Sequence, residues 1–201
     1  MAQRREGNPR DGGGRRRLSA RDWADAALTA IGEGGLAAVA VEPLAARLGA
    51  TKGSFYWHFT GREALVEAAL GSWEDACTED VITALATEPD ALRRLRRLFT
   101  DTTASAARDP IELALLATST HPQVAAALQR VTQRRVGYLA GLFAELGFPP
   151  DEARRRALLA YSAFLGHVQL AHAVPGALPH GADRSPYLDS VIDALLRRDL
   201  A

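Results

Sequence analysis

The sequence is poor in most of the residues that mark a specialised scaffold. One cysteine, Cys77, in 201 residues excludes an internal disulfide and a cysteine-rich metal site. Lysine occurs once, at position 52, and all the other basic side chains are arginines. No apolar run approaches the roughly 18 residues of a membrane span, so a membrane role would be peripheral. No apolar stretch follows the amino-terminal arginines as in a secretory signal, and the expected location is the cytoplasm. Gly-x-Ser-x-Gly, His-Glu-x-x-His and phosphate-loop patterns are missing, and Cys77 has no sequence-visible histidine partner. His167 and His172 stand five apart, not at the i, i+4 spacing of a helical metal pair. The expectation is a chain that is not an enzyme and needs no metal or cofactor.

Net charge is also lacking: 24 basic side chains balance 24 acidic ones. The balance hides a polarity along the chain. Residues 1–62 carry ten cations against six anions, a net of +4, which leaves −4 for the rest. The first 17 residues are rich in arginine and glycine and read as a disordered basic arm. Such an arm either meets a polyanion or is a solvated tail.

What is present is helical periodicity. From Leu18 onward apolar residues recur at helix spacing, glycine and proline mark the breaks, and no segment alternates with a strand period. The chain reads as all-α, with about nine helices. Ser19 caps the first, with Asp22 in its first turn and Gly32, Gly34 and Gly35 at its end. A second runs from about Val41 to Leu48 and is stopped by Gly49. Thr51 then caps a third, through Phe59, and so tight a turn between two short helices is a helix-turn-helix signal. Thr60-Gly61-Arg62-Glu63 has the form of a capping box, opening a long fourth helix toward Leu85. Asp109-Pro110, His121-Pro122, Gly147 to Pro150 and Ser185-Pro186 punctuate the remainder.

In the third helix, Phe55 and Phe59 lie four apart and face inward, leaving Lys52, Tyr56 and Trp57 outward with Ser54 and His58 beside them. Two large aromatics make a poor solvated surface, but a helix fits a DNA major groove and these side chains suit base edges and phosphates. Gly53 costs a helix about 1 kcal/mol relative to alanine, so a neighbouring helix or the DNA backbone should require it. Arg62 opposes the dipole of the helix it opens; it either meets a phosphate there or is a tolerated surface arginine.

The stretch from Val41 to Phe59, Val-Glu-Pro-Leu-Ala-Ala-Arg-Leu-Gly-Ala-Thr-Lys-Gly-Ser-Phe-Tyr-Trp-His-Phe, continuing Thr-Gly-Arg-Glu-Ala-Leu to Leu65, resembles the DNA-binding segment of the TetR family of transcriptional regulators. The resemblance implies a basic arm over 1–17, a three-helix DNA-binding domain over 18–64 and a helical effector-binding and dimerisation domain over 65–201. It assigns Thr51, Lys52, Ser54, Trp57 and His58 to the recognition helix and its cap, and Tyr56 and Arg62 to phosphate contacts. Ala40 departs from the pattern, since the family often has serine or threonine capping the second helix. The function implied is a ligand-responsive regulator, a repressor, binding a palindromic operator as a homodimer. A helical protein-interaction adaptor without sequence-specific DNA binding is the alternative.

Beyond residue 65 the residues carry the reading alone. The helix from about Asp151 to Val174 and the last helix have apolar bands too broad for one core face, which points to a dimer built from these two. Polar and aromatic residues inside apolar stripes are candidates for a small-molecule pocket: Trp73, Cys77, Phe99, Thr103, Tyr138, Phe143, Phe164 and His167. Each could equally be ordinary core. The arginine clusters at 93, 94, 96, 97 and at 154–156 read as solvated faces, or as the lining of a route for an anionic effector.

Overall fold

The computed structural model describes residues 17–198, so the basic arm, apart from Arg17, lies outside the described residues. Nine α-helices follow one another without a strand among the described residues: α1 (Ala20–Gly34), α2 (Val41–Arg47), α3 (Lys52–Phe55), α4 (62–85), α5 (Ala91–Ala106), α6 (Ile111–Ala117), α7 (Pro122–Glu145), α8 (Pro150–Ala173) and α9 (Arg184–Leu196).

Local chemistry accounts for the ends of these helices. Ser19 and Asp22 form a reciprocal capping box at the start of α1, and Gly35, at φ 69°, closes it. After α2, Gly49 adopts φ 62°, while its N–H donates to Ala46 O and that of Ala50 to Ala45 O. This is a Schellman closure, which turns the chain within three residues and delivers Thr51 as the cap of α3. Ala40 caps α2 with no side-chain bond, as its lack of a hydroxyl requires.

Two expectations fail here. The third helix is shorter than the apolar spacing suggests, ending at Phe55 before a turn that carries Tyr56 to His58. The Thr60–Glu63 capping box does not form: Gly61 is the N-cap of α4, so Glu63 sits at N2 instead of N3 and is out of register for the reciprocal bond.

Helix α4 is long, as expected, but not uniform. Its α-helical start, Arg62–Glu74, passes into a π-helical turn, Asp75–Glu79, and back into Asp80–Leu85. Single π turns of this kind recur at functional sites, because the inserted residue redirects side chains and leaves a carbonyl to be satisfied elsewhere.

Two apolar clusters hold the chain together. The first gathers Trp23, Phe55, Phe59, Leu65 and Trp73 and continues into Leu115, Val124 and Val131, so the amino-terminal helices share their core with α4, α6 and α7. The second joins Leu95, Phe99, Phe143, Phe148, Tyr161 and Ile192 from α5, α7, α8 and α9. At the seam between head and body, Gly32 of α1 lets α6 come close: a Cβ there would lie 3.1 Å from Ile111 Cγ1.

Candidate functional site

The amino-terminal head presents α3 on one edge. Phe55 is fully buried, edge-on to Trp23 with ring centroids 5.4 Å apart and stacked on Phe59 at 5.5 Å. This aromatic anchor fixes the roll of the short helix. It turns Tyr56, 56% exposed, and Trp57, 80% exposed, outward. Thr51, Ser54, Trp57 and His58 line a shallow groove with Arg17, Leu18 and Leu48. The Thr51 hydroxyl accepts from Ser54 N at 3.2 Å, and the Ser54 hydroxyl donates to Thr51 O at 2.8 Å, so both serve the turn that aims the helix.

Most of the head's cations are engaged. Lys52 pairs with Glu42 at 2.8 Å, and this hydrogen bond raises the ammonium above its ordinary pKa and lowers the carboxyl. Arg47 makes a two-pronged contact with Glu33, each nitrogen 2.6 Å from an oxygen. Arg62, expected to meet a phosphate, is engaged within the chain. Its Nε donates to Val39 O at 2.8 Å and its Nη2 to Leu36 O at 2.7 Å. The guanidinium is thus turned inward, fastening the 3-10 turn Leu36–Ala38 and the entry to α2 onto the start of α4.

Gly53 has one near neighbour: a Cβ added there would meet only Thr51 Oγ1, at the ordinary distance of 3.7 Å. Its backbone is also outside the left-handed region, where Gly35, Gly49, Gly147 and Gly181 lie. No neighbouring helix requires this glycine.

Behind the head, α4, α5, α6, α7 and α8 enclose a cavity of about 310 Å³. Of the eight candidates, Trp73, Cys77, Phe99, Tyr138 and Phe164 line it. Three do not. Phe143 is buried in the second core, edge-on to Phe148. The Thr103 hydroxyl donates to Phe99 O at 2.5 Å and accepts from Arg184 at 2.8 Å. His167 stacks on Tyr187 of α9, with centroids 6.0 Å apart.

The groups that most distinguish the cavity were missing from that set. Arg135 enters from α7 and is nearly buried between the rings of Trp73 and Phe164, its Cζ 5.7 Å from each centroid. Its Nη1 donates to Glu112 Oε1 at 2.7 Å, its Nε to Thr78 Oγ1 at 3.0 Å and its Nη2 to Cys77 O at 3.2 Å. Burial opposes the charge, yet Glu112 outweighs it and the pKa is raised. Arg135 therefore ties the π turn of α4 to α6. Its signal was its place on an apolar stripe, among Val131, Tyr138, Leu139 and Leu142, where a solvated arginine does not belong. In the π turn, burial pushes the Cys77 thiol up to about 11.

Elsewhere, α8 exposes Leu158, Leu159 and Leu170, with Val174 just past its end, while α9 turns Leu188, Ile192 and Leu195 into its own chain. Among the arginine clusters, 93, 96, 97, 154 and 155 are exposed as expected. Arg94 and Arg156 instead clamp helices, pairing with Glu145 and Glu152.

A short helix on a compact head, joined by one long helix to a cavity-bearing helical body, is the arrangement of a helix-turn-helix head with a second, helical domain. Residues 24–69 match the family described as bacterial regulatory proteins, tetR family. The fold extends the likeness to nearly the whole chain. A transcriptional regulator from Rhodococcus sp. Rha1 superposes with a TM-score of 0.68 at 21% identity, covering 89% of this chain and 94% of that one. A TetR-family regulator from Mesorhizobium loti gives 0.67 at 20% identity, with 88% and 94% covered. The regulator FadR from Bacillus subtilis, solved with stearoyl-CoA, gives 0.65 at 15%, with 89% and 98% covered. Comparison with curated proteins finds no match. Residues 24–69 thus carry the likeness to the tetR family, and the fold of nearly the whole chain is that of these regulators. Among the described residues no helix is long and apolar enough to cross a membrane, and no cluster of metal-ligating side chains occurs.

Proposed function

We propose that the protein is a ligand-responsive repressor of the cytoplasm that binds a palindromic operator as a homodimer and releases it when a small molecule enters the cavity. Trp57 and Tyr56 are the exposed aromatic side chains of the turn that follows the reading helix, and with His58, Ser54 and Thr51 they face the major groove; Tyr56 offers its phenol to a phosphate. Lys52 reaches the DNA by exchanging Glu42 for a phosphate or base edge. Arg62 acts indirectly, through the shape of the head. The pairing surface is the exposed leucine stripe of α8, flanked by α9, so that two heads stand about one helical turn of DNA apart.

The observation that carries this reading is the double duty of α4. Its first turn holds the head together through Arg62, and its π turn forms the cavity wall through Cys77 and Thr78. Helix α6 makes a second link, with Ile111 against Gly32 on one side and Glu112 in the cavity on the other. A ligand pressing on Arg135 and the π turn moves both links at once, and with them the separation of the two heads. The coupling is a shift between two dimer geometries, set by the ligand's different affinity for each.

The test is a mobility-shift assay of the full chain on the DNA upstream of its own coding sequence, followed by selection of bound sites. The expected result is a retarded complex of two chains on an inverted repeat, weakened by Trp57→Ala. Absence of retardation on any DNA would favour the adaptor.

A further inference from the structure

The cavity's own chemistry narrows its ligand. We propose that it takes a lipophilic cation, an apolar or aromatic body carrying a protonated amine or similar positive centre, with Asp109 as the counter-charge. This rests on the reading of the cavity as the effector site and deepens it.

Four charged side chains line the cavity: Asp101, Asp109, Glu112 and Arg135. The one cation is already committed, each of its nitrogens bonded within the chain, with Glu112 as its ion partner. Asp101 is matched by Arg97 on its own helix, at 3.4 Å. Asp109 is left. Its Oδ1 accepts from Ile111 N at 3.0 Å, and no basic side chain among the described residues is paired with it. It is half-buried at the start of α6, so its charge is poorly screened on the cavity side.

At Cys77 burial is the chief obstacle to a negative charge; Arg135 works against it, and Glu112 and Asp109 add to it. An anionic ligand would find Arg135 as the one cation in the lining. To reach Arg135 it would have to displace Glu112, leaving a buried carboxylate without its partner, which is the costly way to break such a pair. A cation meets no such obstacle. Phe99, Tyr138 and Tyr161 also line the cavity, and aromatic rings attract cations as well as apolar bodies. The volume stands at the small end of the range for small-molecule pockets.

A matched series tests this on the full chain. The neutral dye N-phenyl-1-naphthylamine reports occupancy by its fluorescence, and 4-phenylbutylamine, 4-phenylbutanol and 4-phenylbutyrate compete with it at pH 7, carrying one skeleton with positive, zero and negative charge. The amine should displace the dye at about a tenfold lower concentration than the alcohol, equivalent to 1.4 kcal/mol, and the carboxylate at a higher one. Asp109→Asn keeps the oxygen that accepts from Ile111 N. It should erase the amine's advantage and leave the alcohol unchanged. A carboxylate that competes as well as the amine, equal behaviour of all three, or an amine advantage that survives Asp109→Asn overturns the proposal. Failure of the dye itself to bind overturns the cavity as a binding site and the effector reading with it, so the two failures are told apart.

Discussion

Gly53→Ala separates what the fold needs from what DNA needs. Inside the protein the new methyl would meet only Thr51 Oγ1, at 3.7 Å, and the backbone there is not left-handed. The substitution should therefore stabilise the free protein, by about 0.4–1 kcal/mol, because alanine has less conformational freedom to lose than glycine. For a chain of this size that is a rise in melting temperature of roughly 1–4 °C. On DNA the sign reverses. Gly53 lies on the exposed edge of α3 between Lys52 and Ser54, and a methyl projecting there holds the helix away from the sugar-phosphate backbone. A lost close contact of about 1.4 kcal/mol weakens operator binding tenfold. Thermal unfolding and fluorescence anisotropy on the selected site read the two effects separately. If Gly53→Ala melts lower than the parent, the glycine serves the fold. If it melts higher and binds DNA unchanged, α3 does not approach DNA along this edge.

Further perturbations address the other links. Arg62→Ala should cost about 2 kcal/mol in chemical denaturation, since it strips two charge-assisted bonds from the carbonyls of Leu36 and Val39, and should leave the salt slope of DNA binding unchanged; unchanged stability with a shallower slope would restore the phosphate contact. Leu159→Glu with Leu170→Glu places charges on side chains exposed in the single chain, so melting of the protomer should hold while the dimer dissociates at micromolar concentration in analytical ultracentrifugation; a persistent dimer would remove α8 from the interface. Burial, then Arg184, holds His167 below its ordinary pKa. The native state thus prefers the neutral ring, and its stability is whole above about pH 6.5, the usual unfolded value, and falls as the pH drops toward the folded one. The stability difference between the parent and His167→Gln should be constant above that pH and shrink below it; a difference that stays flat to pH 5 would sink this assignment. Deleting residues 1–17 should make the salt dependence of DNA binding shallower, by roughly 0.9 in slope for each arginine that meets a phosphate, and an identical slope would leave the arm a solvated tail.

The head was legible because its determinants are local. Ser19 and Asp22, Gly49 and Thr51, and the four-residue spacing of Phe55 and Phe59 each act within one turn of chain, where spacing and capping rules apply. The carbonyl partners of Arg62 are not legible because they lie 23 and 26 residues away, and no local pattern distinguishes an arginine that reaches backbone carbonyls from one that meets solvent. The π turn has no sequence signature either, since one extra residue within a helix leaves composition and apolar spacing nearly as they were. The three candidates that do not line the cavity lie elsewhere for geometric reasons. Tyr138 and Phe143 share α7, but five residues of a 3.6-residue helix set them roughly 140° apart, so one faces the cavity and the other the second core.

Charge balance shows the same division between local and distant. Summed along the sequence, the first 62 residues carry a net of +4, an excess that suits either a polyanion or a solvated tail. Folding consumes much of it: Lys52 goes to Glu42, Arg47 to Glu33, and Arg62 to two carbonyls. What α3 keeps outward is aromatic and hydroxylic rather than cationic. Apolar and hydrogen-bonding groups read base edges, whereas phosphates are met by cations on any sequence. On the proposed reading, a head with its cations committed discriminates more than it attracts, and sequence-independent attraction falls to the six arginines of residues 1–17. Affinity and specificity would then belong to separate parts of one chain, which meet where Arg17 borders the groove beside Trp57 and His58.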